Sequence, residues 1–534
     1  MKKILSLFIL ATVVLSGCKK GRYDFDKLAT TEWKPSLAAP AINSTLTVYD
    51  VLAHTDSNDI VIIDSLSGLV SLVYKGNLYS YNPSNILTLT DQSTNNTISL
   101  TPTQQTTLSG SGSVTVTNSQ TVTYNTSSAN LDSIILKAGT LDFNINSSFQ
   151  HNGSITISIP ALKKNGVPFS ATYTFNYTGT PISISSSTNM QDYHFDLTQN
   201  GNTTNTFDIN YSLTLNYISG NSTNGSISVS TGMNNWDFYS VFGDFGNVQI
   251  ASDIDSILVK IFNSTITGYF ELVDPKLNLY VHNSMGVPAE VIFNTLQSVN
   301  VNTGQVTPIV NQGFPNPWQI NAPTVSQIGS EVVTKMTIDK SNSDITNIIT
   351  PTPKYVVIQS DANANPSSMP AQYNFMTDTS KMHIRAELEL PLIGFAYGMT
   401  FVDTIPFEFG DNVEEIESVL FRSIITNGFP FKSNIQIYFA DSNYVVLDSL
   451  YAPNTEIIQS GITNNDGRVI QKTEKLTDVT FTQNRMPNVL NAKYVIIRAV
   501  GESLNGTNSQ ISKIYEDYTI QVRLSLKVNG KMNI

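Results

Sequence analysis

Apolar and polar residues alternate along most of this chain, and the period of the alternation is two. Val114-Thr-Val-Thr-Asn-Ser-Gln-Thr-Val-Thr-Tyr124 alternates on both sides of Asn118-Ser119, and Ser154-Ile-Thr-Ile-Ser-Ile159 does so up to Pro160. Successive side chains of a strand point to opposite faces, so this period puts one face in a core and the other in water. The first segment reads as two strands of a hairpin turning at Asn118-Ser119. Further strands are predicted over 60–63, 69–74, 171–177, 207–217, 276–281, 355–359, 381–390, 435–439, 494–499 and 519–528. A helical period is scarce: it fits 47–53, 290–297 and 344–349, the last behind Ser343 as N-cap and stopped by Pro351 and Pro353. The expectation is a mainly β fold of tandem antiparallel β-sandwich-like domains with few short helices.

Repetition organises these strands. Leu131-Asp-Ser-Ile-Ile-Leu-Lys137 recurs as Ile254-Asp-Ser-Ile-Leu-Val-Lys260 and more loosely as Ile416-Glu-Ser-Val-Leu-Phe-Arg422. Asn/Asp/Gly-rich segments follow, at Lys164-Asn-Gly-Val-Pro168, His282-Asn-Ser-Met-Gly-Val-Pro288 and Asp441-Ser-Asn443. A second unit, Lys354-Tyr-Val-Val-Ile-Gln359 trailed by 381–388, matches Lys493-Tyr-Val-Ile-Ile-Arg498 trailed by 518–526. The order first unit then second occurs in 254–398 and in 416–530, which predicts a duplicated domain. In its first strands Ile257, Val259, Val419 and Phe421 should face inward, and Lys260 and Arg422 outward.

With 534 residues at roughly 100 to 200 per domain, several cores are expected. The boundaries read as 1–17 signal, 18–45 anchor and linker, 46–130 N-terminal β region, 131–235 first repeat-related domain, 236–410 second domain, and 411–534 third domain, a duplicate of the second. Charged residues are 13% of the chain and the net charge is −12, or −14 once Lys2 and Lys3 leave with the signal. That balance argues against nucleic acid, whose phosphates need a basic surface. Cys18 is the one cysteine, so no intramolecular disulfide and no Cys-based zinc or iron–sulfur site is expected.

The N-terminus carries Lys2 and Lys3, an apolar run over residues 4–15, and then Leu15-Ser16-Gly17-Cys18. A basic segment followed by a short apolar one is a secretory signal. The four closing residues resemble the lipobox of bacterial lipoproteins, which implies cleavage before Cys18, diacylation of its thiol and acylation of the new amino group. Two or more acyl chains anchor stably where one binds reversibly. Lys19 and Lys20 stand where those lipoproteins carry an Asp for inner-membrane retention, so the resemblance implies the outer membrane, with its two faces both open. The low-charge body, rich in Asn, Ser, Thr and Tyr, is similar to large β-rich lipoproteins of Bacteroidota. Asp64-Ser-Leu, Asp132-Ser-Ile, Asp255-Ser-Ile, Asp403-Thr-Ile and Asp448-Ser-Leu resemble the O-glycan acceptor motif of that group. The strand, Asn-x-x-Gly-x-Pro, strand pattern is similar to the β-sandwich of LEA-type domains and their lipid-binding relatives.

Reactive chemistry is sparse. His54, His151, His194, His282 and His383 have no ligand-like spacing, and neither a zincin nor a serine-hydrolase motif occurs. Asp244-Phe-Gly246 lacks the other kinase elements, and the aromatic segment 236–246 around it reads as packing at a domain junction. Asp361-Ala-Asn-Ala-Asn365 alternates oxygen side chains as a calcium loop would, but Pro366 and Gln372 occupy positions that need Gly and Glu, so a turn is expected. Asp253 with Asp255, and Glu414 and Glu415 with Glu417, read as solvated strand entries rather than paired catalytic carboxylates. No catalytic, cofactor or metal residue is assigned. The reading that results is a non-enzymatic, membrane-anchored scaffold or binding module of the cell envelope, with a carrier of lipid or another hydrophobe and a glycan-binding or glycan-active accessory protein as alternatives. Its partners are the membrane, through the acyl chains, and an envelope protein, hydrophobe or glycan.

Mass spectrometry of membrane-purified protein should find an acylated cysteine at the N-terminus, and Cys18→Ala should release the chain from the membrane fraction. A soluble product starting at another residue refutes lipidation.

Overall fold

Period-two patterning becomes strand wherever it is sustained. In Asn152–Lys164, Ile155, Ile157 and Ile159 are buried while Ser154, Thr156 and Ser158 are half-exposed. The fold is described from a computed structural model covering residues 32–48, 61–126, 128–250, 254–259, 269–301, 303–350, 352–407, 416–453, 455, 457–503 and 511–533. All the strands predicted from alternation are found, and the chain is mainly β. The expected hairpin at 114–124 is instead one continuous strand, Ser113–Thr123, and residues 290–297 lie in the strand Ala289–Val299 rather than a helix.

Three sandwiches of eight strands can be traced among the described residues. Sandwich I uses Gln92–Ser99, Ser113–Thr123, Asn130–Ser147, Asn152–Lys164, Val167–Phe175, Ile182–Asn189, Thr206–Asn216 and Ser226–Asp244. Sandwich II uses Val70–Tyr81, Val248–Ile250 with Ile254–Leu258, Lys276–Asn283, Ala289–Val299, Val306–Pro308 with Trp318–Ile320, Val332–Ile338, Tyr355–Ala364 and Met382–Pro391. Sandwich III uses Ser36–Thr47, Met399–Pro406, Ile416–Asn427, Phe431–Ala440, Val446–Ser449 with Ile457–Ile458, Thr473–Thr482, Tyr494–Ser503 and Thr519–Gly530. With strands counted in this order, every sandwich pairs them antiparallel as 6-3-8-1 in one sheet and 2-7-4-5 in the other. That is the strand order of a jelly roll. Aromatic contacts tie the two sheets together, Phe143 to Phe169 at 5.8 Å in I and Phe481 to Phe439 at 5.6 Å in III. The strands fall into two compact units, one holding sandwich III and the other sandwiches I and II.

The sandwiches are nested along the chain, not tandem. After its first strand the chain leaves III and supplies its second strand only at Met399; after its first strand it leaves II at Tyr81 and returns at Val248. Sandwich I spans the same gap with the helix Pro102–Ser111, whose capping box joins Thr101 and Gln104 reciprocally. The consecutive boundaries read from sequence therefore give way to discontinuous domains. Strand Ser226–Asp244 runs through the expected junction at 235 and pairs at its far end with Asn374–Thr377 of II, so segment 236–246 does pack where I meets II.

Register identifies the equivalent residues. The corner between strands three and four turns on a buried polar side chain: Ser147 Oγ accepts the amide of Phe149, Asn283 Oδ1 that of Met285, and Asn427 Oδ1 that of Phe429, at 3.2, 2.9 and 2.9 Å. The intervening amides of Ser148, Ser284 and Gly428 each donate to the residue that opens or immediately precedes strand eight, Ser226, Lys381 and Thr519. Asn283 and Asn427 also donate through Nδ2 to Val287 and Phe431, four residues on, and to Asn321 and Gln459. Before strand seven, Lys354 and Lys493 each donate an amide to the last residue of strand four and accept one from beyond strand two.

Tyr355 and Tyr494 thus open equivalent strands, whereas Ile254 and Ile416 do not: the first lies in a second strand and the second in a third. The true counterpart of Asp255-Ser-Ile is Asp403-Thr-Ile, since Asp255 lies opposite Ile358 and Asp403 opposite Ile497. Ile257, Val259, Val419 and Phe421 are buried as expected, because alternation fixes facing even where the pairing was misassigned. Lys260 lies outside the described residues.

Each corner asparagine satisfies a buried backbone amide that nothing else would reach. Asn283→Ala and Asn427→Ala should each cost about 2–3 kcal/mol, and Ser147→Ala about 1 kcal/mol, as an unsatisfied buried donor does; denaturant unfolding of the purified variants measures this.

Candidate functional site

The 2-7-4-5 sheet of sandwich I has an outer face of hydroxyl and amide side chains. Its register sets them in rows across the strands: Thr117 opposite Ser212 opposite Thr156, and Ser119 opposite Asn210 opposite Ser158. Adjacent strands stand about 4.8 Å apart, so each row is a close ladder of short polar groups. A groove of about 370 Å³ runs over these six residues. Ser119 donates to Asn210 Oδ1 at 2.7 Å and Thr156 bonds Thr172 at 2.9 Å. The hydroxyls of Thr117, Ser158 and Ser212 and the Nδ2 of Asn210 make no hydrogen bond among the described residues.

No lining side chain carries a charge. The ring of Tyr211 points into the core, where burial raises its phenol above the usual range. Asp208, in the next row, accepts hydrogen bonds from Thr121 and Gln199. The corresponding sheet of II carries Glu290 and Asp361, and that of III carries Lys432 paired with Glu502. The groove of sandwich I is thus lined by neutral hydroxyl and amide groups, with Asp208 the charge in the adjoining row, and its chemistry is that of hydrogen-bond exchange rather than of proton transfer or nucleophilic attack.

Two of the scattered histidines meet across a sheet. His282 on strand three and His383 on strand eight of II are direct partners, their rings stacked 4.5 Å apart at 9°. Glu331 lies 2.5 Å from His282 Nδ1. His282 Nε2 and His383 Nδ1 are buried without a hydrogen-bond partner. Parallel rings direct their in-plane lone pairs side by side rather than at one point, so the pair is not arranged to hold an ion between them. Among the described residues no group of three or more His, Cys, Asp or Glu is placed to hold a metal. Burial, then the neighbouring His282, pushes the imidazole of His383 below its usual range, and burial does the same to His151. Sequence reasoning missed the pair because it depends on register alone.

The other sequence candidates separate. Cys18, His54, Asp253, Glu414 and Glu415 lie outside the described residues. Asp361, Ala362, Asn363 and Ala364 are strand, not a turn, with Asp361 accepting from Asn294 and Asn363 donating to Glu290. Asp244 caps the amide of Gly246 while Phe245 is buried, an ordinary turn. Of the Asp-Ser/Thr-apolar segments, Ser65, Ser256 and Thr404 are exposed, while Ser133 and Ser449 are half-buried. Asp448 is committed to Arg485, whose guanidinium grips its carboxylate at 2.7 and 3.1 Å and lies 3.8 Å from the centre of the Phe481 ring. Burial works against ionisation of Asp448, but hydrogen bonds from Arg485, Ser449 and Asn488 outweigh it and hold the carboxyl below the usual range.

No protein-family model matches the chain, and no curated protein matches it. Among solved structures, a candidate secreted protein from Parabacteroides distasonis is similar at 12% identity over 93% of this chain and 100% of that one, with a TM-score of 0.29. The VP2 subviral particle of infectious bursal disease virus is similar at 11% identity over 75% and 72% of the two chains, with a TM-score of 0.14. The cowpea mosaic virus top component is similar at 6% identity over 52% and 90%, with a TM-score of 0.13. At TM-scores this low the likenesses add nothing to the strand order described above.

Both lowered imidazoles make the fold acid-sensitive. Between the unfolded value near 6.5 and their lower folded values, the unfolded chain binds protons that the folded chain does not, so stability is full above about pH 6.5 and falls as pH drops below it. The midpoint of thermal unfolding should fall between pH 7.5 and 5.5, and His383→Gln should flatten part of that slope; an unchanged slope refutes the assignment to His383.

Proposed function

We propose that this chain is a lipid-anchored protein of the bacterial cell envelope, held in the outer membrane through Cys18, which presents its jelly rolls as a non-enzymatic scaffold or binding module. The observation that carries this reading is the threefold use of one framework with the same buried corner, while the outward faces differ from copy to copy. Constant interiors with divergent surfaces suit presentation. The signal and lipobox-like segment supply the anchor, and strand one of III follows soon after it in the chain. No helix among the described residues is long and apolar enough to cross a membrane.

The groove of sandwich I favours a second reading, glycan binding. A groove of unpaired hydroxyls and an amide, with no charged side chain in its lining, offers donors and acceptors to a neutral polyhydroxylated ligand and would leave a charged one uncompensated. The carrier alternative has less support, since Phe143, Phe149, Phe195 and Phe207 fill the interior of I.

Cross-linking and capture from native membranes should recover one reproducible envelope partner, lost with Cys18→Ala; absence of any partner from the intact membrane overturns the scaffold reading. For the glycan reading, affinity electrophoresis in gels containing dextran, xylan or galactan should retard the chain, and Ser158→Lys with Ser212→Lys should abolish the retardation. Equal mobility of the two proteins in all three gels refutes it.

A further inference from the structure

The three copies provide an internal control for one feature of sandwich I. Strand six is an edge of the 6-3-8-1 sheet in every sandwich, and an open edge offers unpaired amides and carbonyls to any extended chain. In II that edge, Val332–Ile338, has Lys335 exposed at its centre. In III, Thr473–Thr482 carries Glu474, Lys475 and Asp478. Charges so placed oppose self-association, because a second copy laid antiparallel on such an edge brings like charges together. In I the equivalent strand, Ile182-Ser-Ile-Ser-Ser-Ser-Thr-Asn189, has no charge and no proline within it.

Its geometry also favours pairing. All eight residues keep an unbroken register with strand three, from Ile182 opposite Ser147 to Asn189 opposite Thr140, without the bulge that would twist an edge away. Its side chains alternate strictly between half-buried and exposed. The opposite side of the same sandwich is closed by side chains: Asn96 on strand one donates to Asn118 and Gln120 on strand two, and Gln120 donates back to Thr94 and to the carbonyl of Asn95. On the strand-six side, no hydrogen bond among the described residues reaches the outer edge from another element.

We infer that strand Ile182–Asn189 is an interaction edge whose partner is the same strand of a second copy of this chain, joined antiparallel so that two four-stranded sheets become one sheet of eight. A strand laid antiparallel on itself forms an isologous two-fold contact, in which every residue meets the same sequence reversed. Such a contact tolerates only residues that do not repel their own kind. Serine, threonine and isoleucine meet that condition, and Ser/Thr cross-strand pairs add hydrogen bonds of their own. The edges of II and III fail it. Charged side chains stand on two of the three equivalent edges, and none stands on the third.

The test uses the full-length chain in its own membrane. Ser185→Cys should give a disulfide-linked dimer on mild oxidation, seen on a non-reducing gel, because a two-fold axis through Ser185 sets that residue opposite itself, while the parent chain and Leu476→Cys, the equivalent exposed position on the edge of III, should not. With that axis residue 183 of one copy faces residue 187 of the other, so Ser183→Lys with Ser187→Lys should abolish dimers in the Ser185→Cys background, and Ser183→Glu with Ser187→Lys should restore them. Ser183, Ser185 and Ser187 are exposed, so these changes leave the core intact. Absence of a dimer from Ser185→Cys, equal linkage at Leu476→Cys, or a dimer indifferent to Ser183→Lys with Ser187→Lys overturns the inference. Linkage of Ser185→Cys to a different protein in place of a second copy overturns it as well.

Discussion

Each sandwich hydrogen-bonds its first strand to its eighth, and that single pairing governs everything the chain does between them. Because the two strands are antiparallel neighbours, the beginning of a sandwich lies beside its end: Ser71 is opposite Pro391 in II, and Ser36 is opposite Asn529 in III. A domain whose ends meet can be spliced into a loop of another at small entropic cost, because the host loop closes over almost no distance. The loop between strands one and two has received such a domain twice, and in the innermost copy it holds only a helix of one capping box. Nesting follows from jelly-roll connectivity and needs no special linker.

What stays constant among the copies is what burial makes costly to change. The corner residue that ends strand three must pair a buried amide two residues on, and serine or asparagine each does so with a side-chain oxygen; asparagine goes further and fastens the approach to strand four as well. Glycine is demanded in only a few places, as at Gly139, where the backbone is left-handed and a Cβ would sit 2.4 Å from Trp236. Outward positions obey no such rule. The same sheet face carries a groove of neutral groups in I, the carboxylates Glu290 and Asp361 in II and an ion pair in III, so surface chemistry has diverged on a shared interior.

Alternation made the strands and their facing readable in the sequence, down to the burial of Ile257 and Val419. It misled where the period was locally broken or falsely interrupted. A bulge between Phe293 and Thr295 shifts the pattern by one residue and gives 290–297 a helical look. Asn118-Ser119 resembles a turn, yet both side chains are bonded across strands, to Asn96 and Asn210. The capping box Thr101-Pro-Thr-Gln104 is a local signal for the helix of sandwich I, short and set among strand-like neighbours. Domain order is not legible in the sequence, because Asp-Ser-Ile recurs in both second and third strands and neighbours along the chain are not neighbours in the sheet. The neutral groove and the stacked histidines exist only once register is known.

Nesting also sets a timetable for folding. Ser36 Oγ bonds Asn529 Oδ1 across a sequence separation of 493 residues, so strand one of III is synthesised long before the neighbour it pairs with. Sandwich I can close as soon as its own residues are available, II must await strand eight at Met382, and III remains open until Thr519–Gly530 has been made. Throughout that interval Ser36–Thr47 is an unpaired strand exposed to wrong partners. Pro40 within it removes one backbone donor, and the register skips a residue between Pro40 and Ile42. Both make the waiting strand a poor template for aggregation while leaving it able to complete the sheet when Thr519–Gly530 arrives.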